Sequence, residues 1–318
     1  MANFRNSSKF SRMTLIMGVL TLLKKLGYSK QFLKFFMKRR LFSTEGMEKA
    51  FSGYQPTEHD VLITTFGKSG NHWMMQVAQQ IAFLGEAEFD HIYDIAPWPE
   101  SPFPGVIPLS DTTHQQKSPT GLRVIRTSID AKYVPYSDKA AYITVLRDPK
   151  EVFVSSYHFL PGVFGLSGQL TMEEWLEMYL APGFISSAWA AHTASFWQWR
   201  DRPNFLLLKF ADMKKDLPGC AQRVADLMGV SLTEAQLAKV IKRSSFQYMK
   251  QHESQFSTPI LPFMKAEDKS VMIRKGRSGS SNELINRQQQ AAIDRFCQDL
   301  LHQLGSDFPY REMFTVVE

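Results

Sequence analysis

Short apolar runs rich in β-branched residues alternate along the chain with longer stretches of helical periodicity. Four runs predict buried strands, one beginning at Val61 and the others covering 122–126, 142–146 and 206–210. Apolar residues at helical spacing predict helices at 72–84, 150–159, 171–180, 185–200, 218–228, 234–242, 244–251 and 288–304. Strands that alternate with helices are typical of an α/β fold with a parallel sheet. Ligands of such sheets bind beyond the carboxyl ends of the strands.

A glycine-containing turn follows the first predicted strand. Gly67, Lys68, Ser69 and Gly70 separate the apolar run from a helix-compatible stretch. A strand, a tight turn and a helix N-terminus direct several backbone N–H groups at one point, which favours anion binding. The loop of nucleoside triphosphatases has the pattern G-x-x-x-x-G-K-[ST], and its first glycine would fall at Leu62. We therefore predict a shorter phosphate-binding loop and disfavour a kinase that uses ATP.

Further cations follow the next two predicted strands. Arg126 ends the second strand, and Arg147 directly follows the third. Because parallel strands end at the same edge of a sheet, we expect Lys68, Arg126 and Arg147 to converge there. This convergence is stronger evidence for an anion site than any single motif.

A second candidate anion site lies late in the chain. Arg274 and Lys275 are adjacent cations, and Gly276 and Gly279 allow close approach to the backbone. Two anion sites suit a nucleotide that carries phosphate groups at both ends.

These segments resemble the three signatures of the cytosolic sulfotransferase family, in the family's order and with similar spacing. The loop Lys-Ser-Gly-x-x-Trp ends at Trp73, Arg147 is followed eight residues later by Ser155, and Arg-Lys-Gly begins at Arg274. Segments around Phe210 and at 244–246 resemble those that flank the adenine. The resemblance runs from about residue 55 to residue 290.

The resemblance implies an α/β fold, a three-layer sandwich with a central parallel sheet and a phosphosulfate-binding loop, like that of P-loop NTPases. It implies sulfonyl transfer from 3′-phosphoadenosine 5′-phosphosulfate to a hydroxyl or amine, with no metal. Lys68 would stabilise the leaving phosphate, and Arg126 stands where the family usually has a lysine that contacts the sulfonyl group. Phe210 stands where a tyrosine is usual. The implied cofactor-binding residues are Lys68, Ser69, Gly70, Asn71, His72, Trp73, Arg147, Ser155, Phe210, Ser244, Phe246, Arg274, Lys275 and Gly276.

The chain departs from the family pattern at the general base. The family reads Lys-Thr-His or Lys-Ser-His after the second strand, and here Ser128 occupies the place of the histidine. A serine hydroxyl does not accept a proton usefully at neutral pH without its own base. Asp130, His72 and His114 are the available substitutes, and the choice among them stays open.

Basic residues are concentrated at the N-terminus. Ten of the 37 Lys and Arg residues lie within the first 44 residues, which contain no acid, and the remainder has 27 basic against 31 acidic residues. A slightly acidic body argues against general nucleic-acid binding. The two cysteines, Cys220 and Cys297, form neither a disulfide framework nor a metal-ligand pattern. They fit a reducing compartment, and we expect a cytoplasmic protein.

We predict a basic, apolar extension over residues 1–50 and a sulfotransferase domain over 51–318. The apolar run 13–23 is too short to span a bilayer. A basic helix with an apolar side would contact an anionic membrane surface peripherally, or its apolar residues dock onto the body. Liposome binding before and after removal of residues 1–50 separates the two.

The segment 86–116, called the lid below, contains six acids, five prolines and four aromatic residues but no Lys or Arg. Long Pro-rich loops in compact domains are usually functional. An acidic lid disfavours polyanionic acceptors by like-charge repulsion. We expect a small, neutral or apolar acceptor.

Two further questions stay open. The missing histidine leaves a catalytically silent, membrane-associated nucleotide-binding protein of the same fold as the alternative. Many family members dimerise through Lys-x-x-x-Thr-Val-x-x-x-Glu, but the matching places here hold Asn282, Asn286, Arg287 and Ala291. The oligomeric state is therefore not predicted.

Overall fold

Four parallel strands form the centre of the structure, a computed structural model that describes residues 27–36, 44–101, 103, 105–163, 166–257 and 280–317. The sheet has the order β2-β1-β3-β4, and every neighbouring pair is parallel. The strands are β1 (Asp60–Ile63), β2 (Arg123–Arg126), β3 (Ala141–Leu146) and β4 (Phe205–Lys209). The four predicted strands are confirmed, with one adjustment: Phe210 begins the next helix and is not the end of β4.

The strands read as continuous apolar runs because both faces of the sheet are covered. Leu62 in β1 pairs with Ile125 in β2 and with Tyr142 in β3, and all three side chains are buried. A half-exposed strand would instead alternate apolar and polar residues.

Helices connect the strands, mostly where helical spacing predicts them. They are α1 (Ser29–Phe36), α2 (Thr44–Lys49), α3 (Asn71–Ala82), α4 (Thr113–Lys117), α5 (Pro149–Val163), α6 (Met172–Tyr179), α7 (Ile185–Trp197), α8 (Phe210–Lys215), α9 (Leu217–Leu227), α10 (Glu234–Arg243), α11 (Phe246–Gln251), α12 (Ser280–Leu284), α13 (Arg287–Gln303) and α14 (Tyr310–Met313). Side chains at their N-caps set several of these starts. Thr171, Thr233 and Asn286 each form a capping box, which satisfies backbone donors at the start of α6, α10 and α13.

Helices cover both faces of the sheet. Val61 and Ile63 pack in one core cluster with residues of α3, α9 and α10. The alternate residue Leu62 packs in a different cluster with Phe196 of α7, as the two-residue period of a strand requires. This arrangement confirms the three-layer α/β sandwich, with the carboxyl ends of all four strands at one edge.

Part of the N-terminal extension docks onto the body. Leu33 of α1 is fully buried in a core cluster that includes Val152 and Phe153 of α5, and Lys30 forms an ion pair with Glu177. Phe35 on the same helix is 62% exposed. In the described ranges, no helix is long and apolar enough to cross a membrane. Residues 1–26 and 37–43 lie outside the described residues, so membrane contact and the domain boundary at residue 50 stay predictions.

A buried ionic network fixes the C-terminal segment behind the site. The Lys150 ammonium contacts Asp294 Oδ1 at 2.5 Å and Asp148 Oδ1 at 3.1 Å. The Tyr310 hydroxyl donates to Asp294 Oδ1 at 2.6 Å, and the Val317 amide donates to Asp294 Oδ2 at 2.9 Å. Asp294 is fully buried, and a buried charge must be paired.

We expect D294N to lower the free energy of unfolding by about 3 kcal/mol, because it weakens the pairing of the buried Lys150 ammonium. The value is at the low end for a broken buried pair because Asp148 still faces Lys150. Urea unfolding monitored by tryptophan fluorescence measures it. D299N, at an exposed position of the same helix, is the control and should change stability by less than about 0.5 kcal/mol. Equal effects of the two variants would contradict a structural role of the network.

Candidate active site

A tight turn at residues 64–70 joins β1 to the buried N-terminus of α3. Lys68 adopts a positive φ of 65° and Gly70 a positive φ of 111°. The Ser69 amide donates to the Phe66 carbonyl at 3.1 Å, and the Asn71 side-chain amide donates to the same carbonyl at 2.9 Å. Left-handed backbone conformations cost energy for residues with a side chain. Their presence here shows a turn that the surrounding structure holds in place.

Polar groups at this helix N-terminus fit an anion. The Ser69 hydroxyl is buried and has no hydrogen-bond partner in the part of the chain that the structure describes. Buried polar atoms are otherwise almost always satisfied, and the first N–H groups of a helix also lack partners within the helix. Phosphate or sulfonate oxygens supply acceptors for the serine hydroxyl and for these N–H groups.

Lys68 lies close to two other cations. Its ammonium is 3.4 Å from the centroid of the Phe159 ring. Burial lowers the pKa of Lys68 well below its ordinary value, and the charges of Arg147 and Arg126 lower it further. The predicted convergence of the three cations is confirmed. Binding an anion among them would relieve their mutual repulsion.

Arg147 contacts the backbone of the phosphate loop directly. Its Nη1 donates to the Lys68 carbonyl at 2.8 Å, and its Nη2 is 3.6 Å from Glu151 Oε2. The guanidinium carbon lies 4.4 Å from the centroid of the Phe210 ring. Ser155 is partly buried two turns further along α5. The geometry orients the guanidinium beside the loop, where it is suited to bind phosphate.

Aromatic rings form a wall on the other side of the loop. The indole of Trp73 donates to the Ser244 carbonyl at 2.7 Å. The rings of Trp73 and Phe210 meet edge to face at 5.4 Å, and Phe246 is 43% exposed nearby in sequence, at the start of α11. A Cβ added at Gly70 would lie 2.9 Å from Phe210 Cδ2. Glycine at this position therefore permits both the turn and the close approach of the ring.

Arg126, Tyr93 and His72 form a hydrogen-bonded chain. Arg126 Nη1 donates to the Tyr93 hydroxyl at 2.7 Å, and this hydroxyl lies 2.9 Å from His72 Nε2. The phenol oxygen accepts from Arg126 and keeps one proton and a second acceptor position toward the imidazole. Burial, followed by the charges of Arg126 and Lys68, lowers the pKa of His72 well below its ordinary value. His72 is thus a neutral imidazole, and its tautomer sets whether Nε2 accepts the phenol proton or donates to the phenol oxygen.

Ser128 lies beside this group, but its hydroxyl proton is engaged. Ser128 Oγ donates to the Thr65 carbonyl at 2.9 Å and accepts a long contact from Arg126 Nη2 at 3.4 Å. The guanidinium of Arg126 lies 3.5 Å from the centroid of the Trp98 ring. Ser128 therefore packs against the cation and does not act as a free base.

The two other candidates for the base lie further along the chain. Asp130 is half-buried, and burial raises its pKa; it lies two residues past Ser128, after the chain has left the strand end. His114 stacks on Phe83 with ring centroids 4.5 Å apart. Phe83 caps the far end of the 12-residue helix α3, roughly 18 Å from the phosphate loop. The structure therefore separates His114 from the site.

Arg274, Lys275 and Gly276 lie outside the described residues, so the second anion site stays a prediction. The chain is described again from Ser280, close to Arg147. The Ser281 amide donates to Glu151 Oε1 at 2.9 Å, and Glu151 is the carboxylate that also faces Arg147. Ser281 and Arg147 thus contact the same carboxylate on α5.

Residues 58–305 match the family described as the Sulfotransferase domain. The chain belongs to this family. It is 28% identical over 280 residues to Sulfotransferase 2A1 of Macaca fascicularis, across 86% of this chain and 93% of the relative. It is 25% identical over 261 residues to the 3-alpha-hydroxysteroid sulfotransferase of Cavia porcellus, across 81% and 89% of the two chains.

Solved structures share the fold. Retinol dehydratase in complex with androsterone and the inactive cofactor PAP has a TM-score of 0.65 at 19% identity, covering 84% of this chain and 88% of that one. Mouse sulfotransferase SULT7A1 complexed with PAP has a TM-score of 0.63 at 20% identity, covering 86% and 95%. At such identities the likeness concerns the fold.

Family membership confirms the predicted sulfotransferase and its donor, 3′-phosphoadenosine 5′-phosphosulfate. It favours an enzyme over the catalytically silent alternative. Across the described part of the sulfotransferase, no group of three or more His, Cys, Asp or Glu side chains is placed to hold a metal ion. The roles of individual site residues rest on the geometry above and stay proposals.

Sequence reasoning missed three residues of the lid that contact the strand ends: Tyr93, Trp98 and Glu100. Their only signal in the sequence is the mixture of aromatic and acidic residues in a Pro-rich loop. The contacts themselves join positions at least 26 residues apart, and no local pattern predicts such contacts.

We expect G70A to weaken binding of adenosine 3′,5′-bisphosphate at least tenfold, a change of about 1.4 kcal/mol. The added methyl group would meet Phe210 and strain a φ of 111°. Isothermal calorimetry measures the affinity. G229A introduces the same kind of backbone strain at a φ of +65° with nothing within 4 Å of the new methyl group, and it should leave the affinity unchanged. Equal losses in both variants would show that the close approach to Phe210 is unimportant.

Binding of the same bisphosphate at about pH 9 should take up protons. The pKa of Lys68 is depressed in the free enzyme, and an adjacent dianion raises it, so the complex holds more protons than its separate partners. Affinity should accordingly fall as the pH rises above the pKa of the free lysine. Calorimetry in two buffers of different ionisation enthalpy measures the uptake. K68M should abolish it and K139M, at an exposed lysine, should not; uptake that persists in K68M would contradict this assignment.

Proposed function

We propose that this sulfotransferase transfers the sulfonyl group to the hydroxyl of a small, largely apolar alcohol. The observation that carries the acceptor class is the lid. It places Trp98 against Arg126 and borders an open cavity of about 450 Å³ whose lining includes the side chains of Trp98, Phe103, Val106, Ile107 and Leu109. Pockets for small ligands are typically apolar with a few directed polar groups.

The relatives support the same acceptor class. One of them is named a 3-alpha-hydroxysteroid sulfotransferase, and structures of retinol dehydratase hold androsterone or retinol. Androsterone and retinol are both largely apolar alcohols.

Charge supports the exclusion of polyanionic acceptors. The lid has no Lys or Arg and six acids, and although Glu86 and Glu88 pair with Lys239 and Arg243, a glycosaminoglycan chain would still face a net negative loop. The cations of the site lie at the strand ends, where the donor's own charges would occupy them.

We assign the transfer chemistry to the cations and the loop. The donor, when bound, supplies an activated sulfonyl group with a phosphate as leaving group. Lys68 and the loop N–H groups would stabilise charge that develops on this phosphate. Arg126, held by Trp98 and Tyr93, would contact the sulfonyl oxygens, while Arg147 with Ser155 would bind the 3′-phosphate.

The remaining site residues would position the substrates. Trp73, Phe210, Ser244 and Phe246 would flank the adenine, with stacking but no hydroxyl at Phe210. His72 would contribute a hydrogen bond beside the sulfonyl group, and Ser128 would hold Arg126. Asp130 stays a candidate base from sequence alone, because no contact joins it to the cations of the described site.

Radiolabelled sulfonate should pass from the donor to androsterone and retinol but not to heparan sulfate. K68A should lower the rate at least roughly 100-fold, as loss of a group that stabilises transition-state charge does. K117A, at an exposed lysine outside the site, is the matched control and should be fully active. Transfer to heparan sulfate in preference to the alcohols would contradict the proposed acceptor class.

A further inference from the structure

Glu100 lies at the position left open by the missing histidine. Its carboxylate accepts the backbone N–H of Ser128 through Oε1 at 2.7 Å and the Thr127 hydroxyl through Oε2 at 3.0 Å. Ser128 is the residue that stands in place of the family's general base. The lid thus delivers a carboxylate to the same strand end from which the usual imidazole would project.

The lid is attached firmly enough at this point to position a side chain. The Arg126 amide donates to the Pro97 carbonyl at 2.8 Å, so the lid backbone pairs with the end of β2. Trp98 follows immediately and stacks on the Arg126 guanidinium. Glu100 is therefore held in two ways. The lid backbone is bonded to β2 at Pro97, and the Glu100 carboxylate accepts two hydrogen bonds.

The Glu100 carboxylate has free acceptor positions at which it can take up a proton. The Ser128 amide and the Thr127 hydroxyl occupy one acceptor position on each oxygen, whereas an ionised carboxylate has about four acceptor positions. Among the residues that the structure describes, no Lys or Arg side chain forms an ion pair with Glu100. A carboxylate bound by an arginine would be a poor base, because the ion pair stabilises its charged form.

The electrostatic surroundings favour proton uptake. Burial raises the pKa of Glu100, and the charge of Arg126, the Ser128 amide and the Trp98 indole oppose this effect. The other titratable groups that face this carboxyl are Tyr93 and, through Tyr93, His72. A phosphosulfate bound at the cations would add negative charge and raise the pKa further. A base works best when its pKa approaches the working pH.

We infer that Glu100 is the general base of this sulfotransferase, in place of the histidine that Ser128 replaces. The inference rests on the proposed function. The acceptor hydroxyl gives its proton to a Glu100 oxygen while its own oxygen forms a bond to sulfur. The bond from sulfur to the phosphate oxygen breaks, and its electron pair stays on the phosphate, which Lys68 stabilises. Water then takes the proton from Glu100, and a sulfate ester and adenosine 3′,5′-bisphosphate leave.

The rival base is His72. It is neutral, but its Nε2 is already engaged in the hydrogen bond with the Tyr93 hydroxyl. It also lies in the phosphate loop, on the side of the cations, where its pKa is held well below the ordinary value. Glu100 lies at the end of β2 instead, next to the position from which the family's base acts.

The test compares E100Q, E100D, D94N and H72Q in single-turnover transfer to androsterone. E100Q should lower the rate by at least roughly 100-fold, the usual contribution of a general base, with unchanged affinity for adenosine 3′,5′-bisphosphate. E100D keeps a carboxylate and should retain much more activity than E100Q. D94N removes an exposed acid of the same lid and should behave like wild type. A loss in H72Q larger than that in E100Q would overturn the assignment in favour of the imidazole.

Acceptor acidity separates a base from a structural residue. In a series of phenols of decreasing pKa, the deficit of E100Q should shrink, because an acceptor that is already ionised needs no base. The wild-type rate should rise with pH as Glu100 loses its proton and then level off, and E100Q should lack this rise. A deficit that stays constant across the phenols would show a structural role and overturn the inference.

Two outcomes distinguish this inference from the proposed function. A wild-type enzyme that binds the bisphosphate and transfers sulfonate to no alcohol or phenol would overturn the function, and the role of Glu100 with it. An active wild type with an equally active E100Q would overturn the role of Glu100 alone. Thermal unfolding of each variant shows whether it is folded, and E100D provides the folded comparison if E100Q is unstable.

Discussion

Mutual repulsion among three cations at one edge of the sheet is the constraint on which the site depends. Lys68, Arg126 and Arg147 are brought together because each follows or ends a parallel strand. Burial lowers the pKa of Lys68, and the charges of Arg147 and Arg126 lower it further. Glu151 faces Arg147, and aromatic rings offset the repulsion further. Aromatic faces lie against each cation, Phe159, Trp98 and Phe210 in turn, and such contacts stabilise a cation without neutralising it. The charge therefore remains available for a polyanionic donor.

The lid contributes to the charged site in two ways. Tyr93 and Trp98 hold Arg126 through a hydrogen bond and a stacked ring, so they orient a group that the strand places. Glu100 contributes a carboxylate directly at the strand end. A loop that both orients the cation and supplies the base would couple acceptor binding to chemistry, since displacement of the lid would remove both together. The buried network around Asp294 supports the opposite side of the site, where Lys150 follows Arg147 by three residues on the chain.

The two residues that differ from the family pattern, Arg126 and Ser128, fit together in the structure. Arginine replaces lysine at position 126, and its planar fork reaches a phenol and a serine at once, which an ammonium on a single stem does less well. Serine at position 128 is small enough to lie beneath that guanidinium and to donate to the Thr65 carbonyl. Glu100, from another segment, accepts hydrogen bonds from Thr127 and Ser128 at this strand end, and we assign the role of the base to it. A different residue can therefore serve as the general base while the strands of the sheet stay the same.

The sequence by itself determined the sheet, the phosphate loop and the convergence of the cations. These features follow from local patterns: apolar runs of strand length, glycines at a turn, and the rule that parallel strands end at one edge. Only the tertiary structure decided which residues surround those cations. Glu100 and Ser128 are 28 residues apart, and Tyr93 and Arg126 are 33 apart. The lid that carries Glu100 and Tyr93 has no periodic pattern of apolar and polar residues from which these contacts could be predicted. Side-chain contacts between a loop and a strand end depend on how the loop folds back over the core, and that path is fixed by packing of the whole domain.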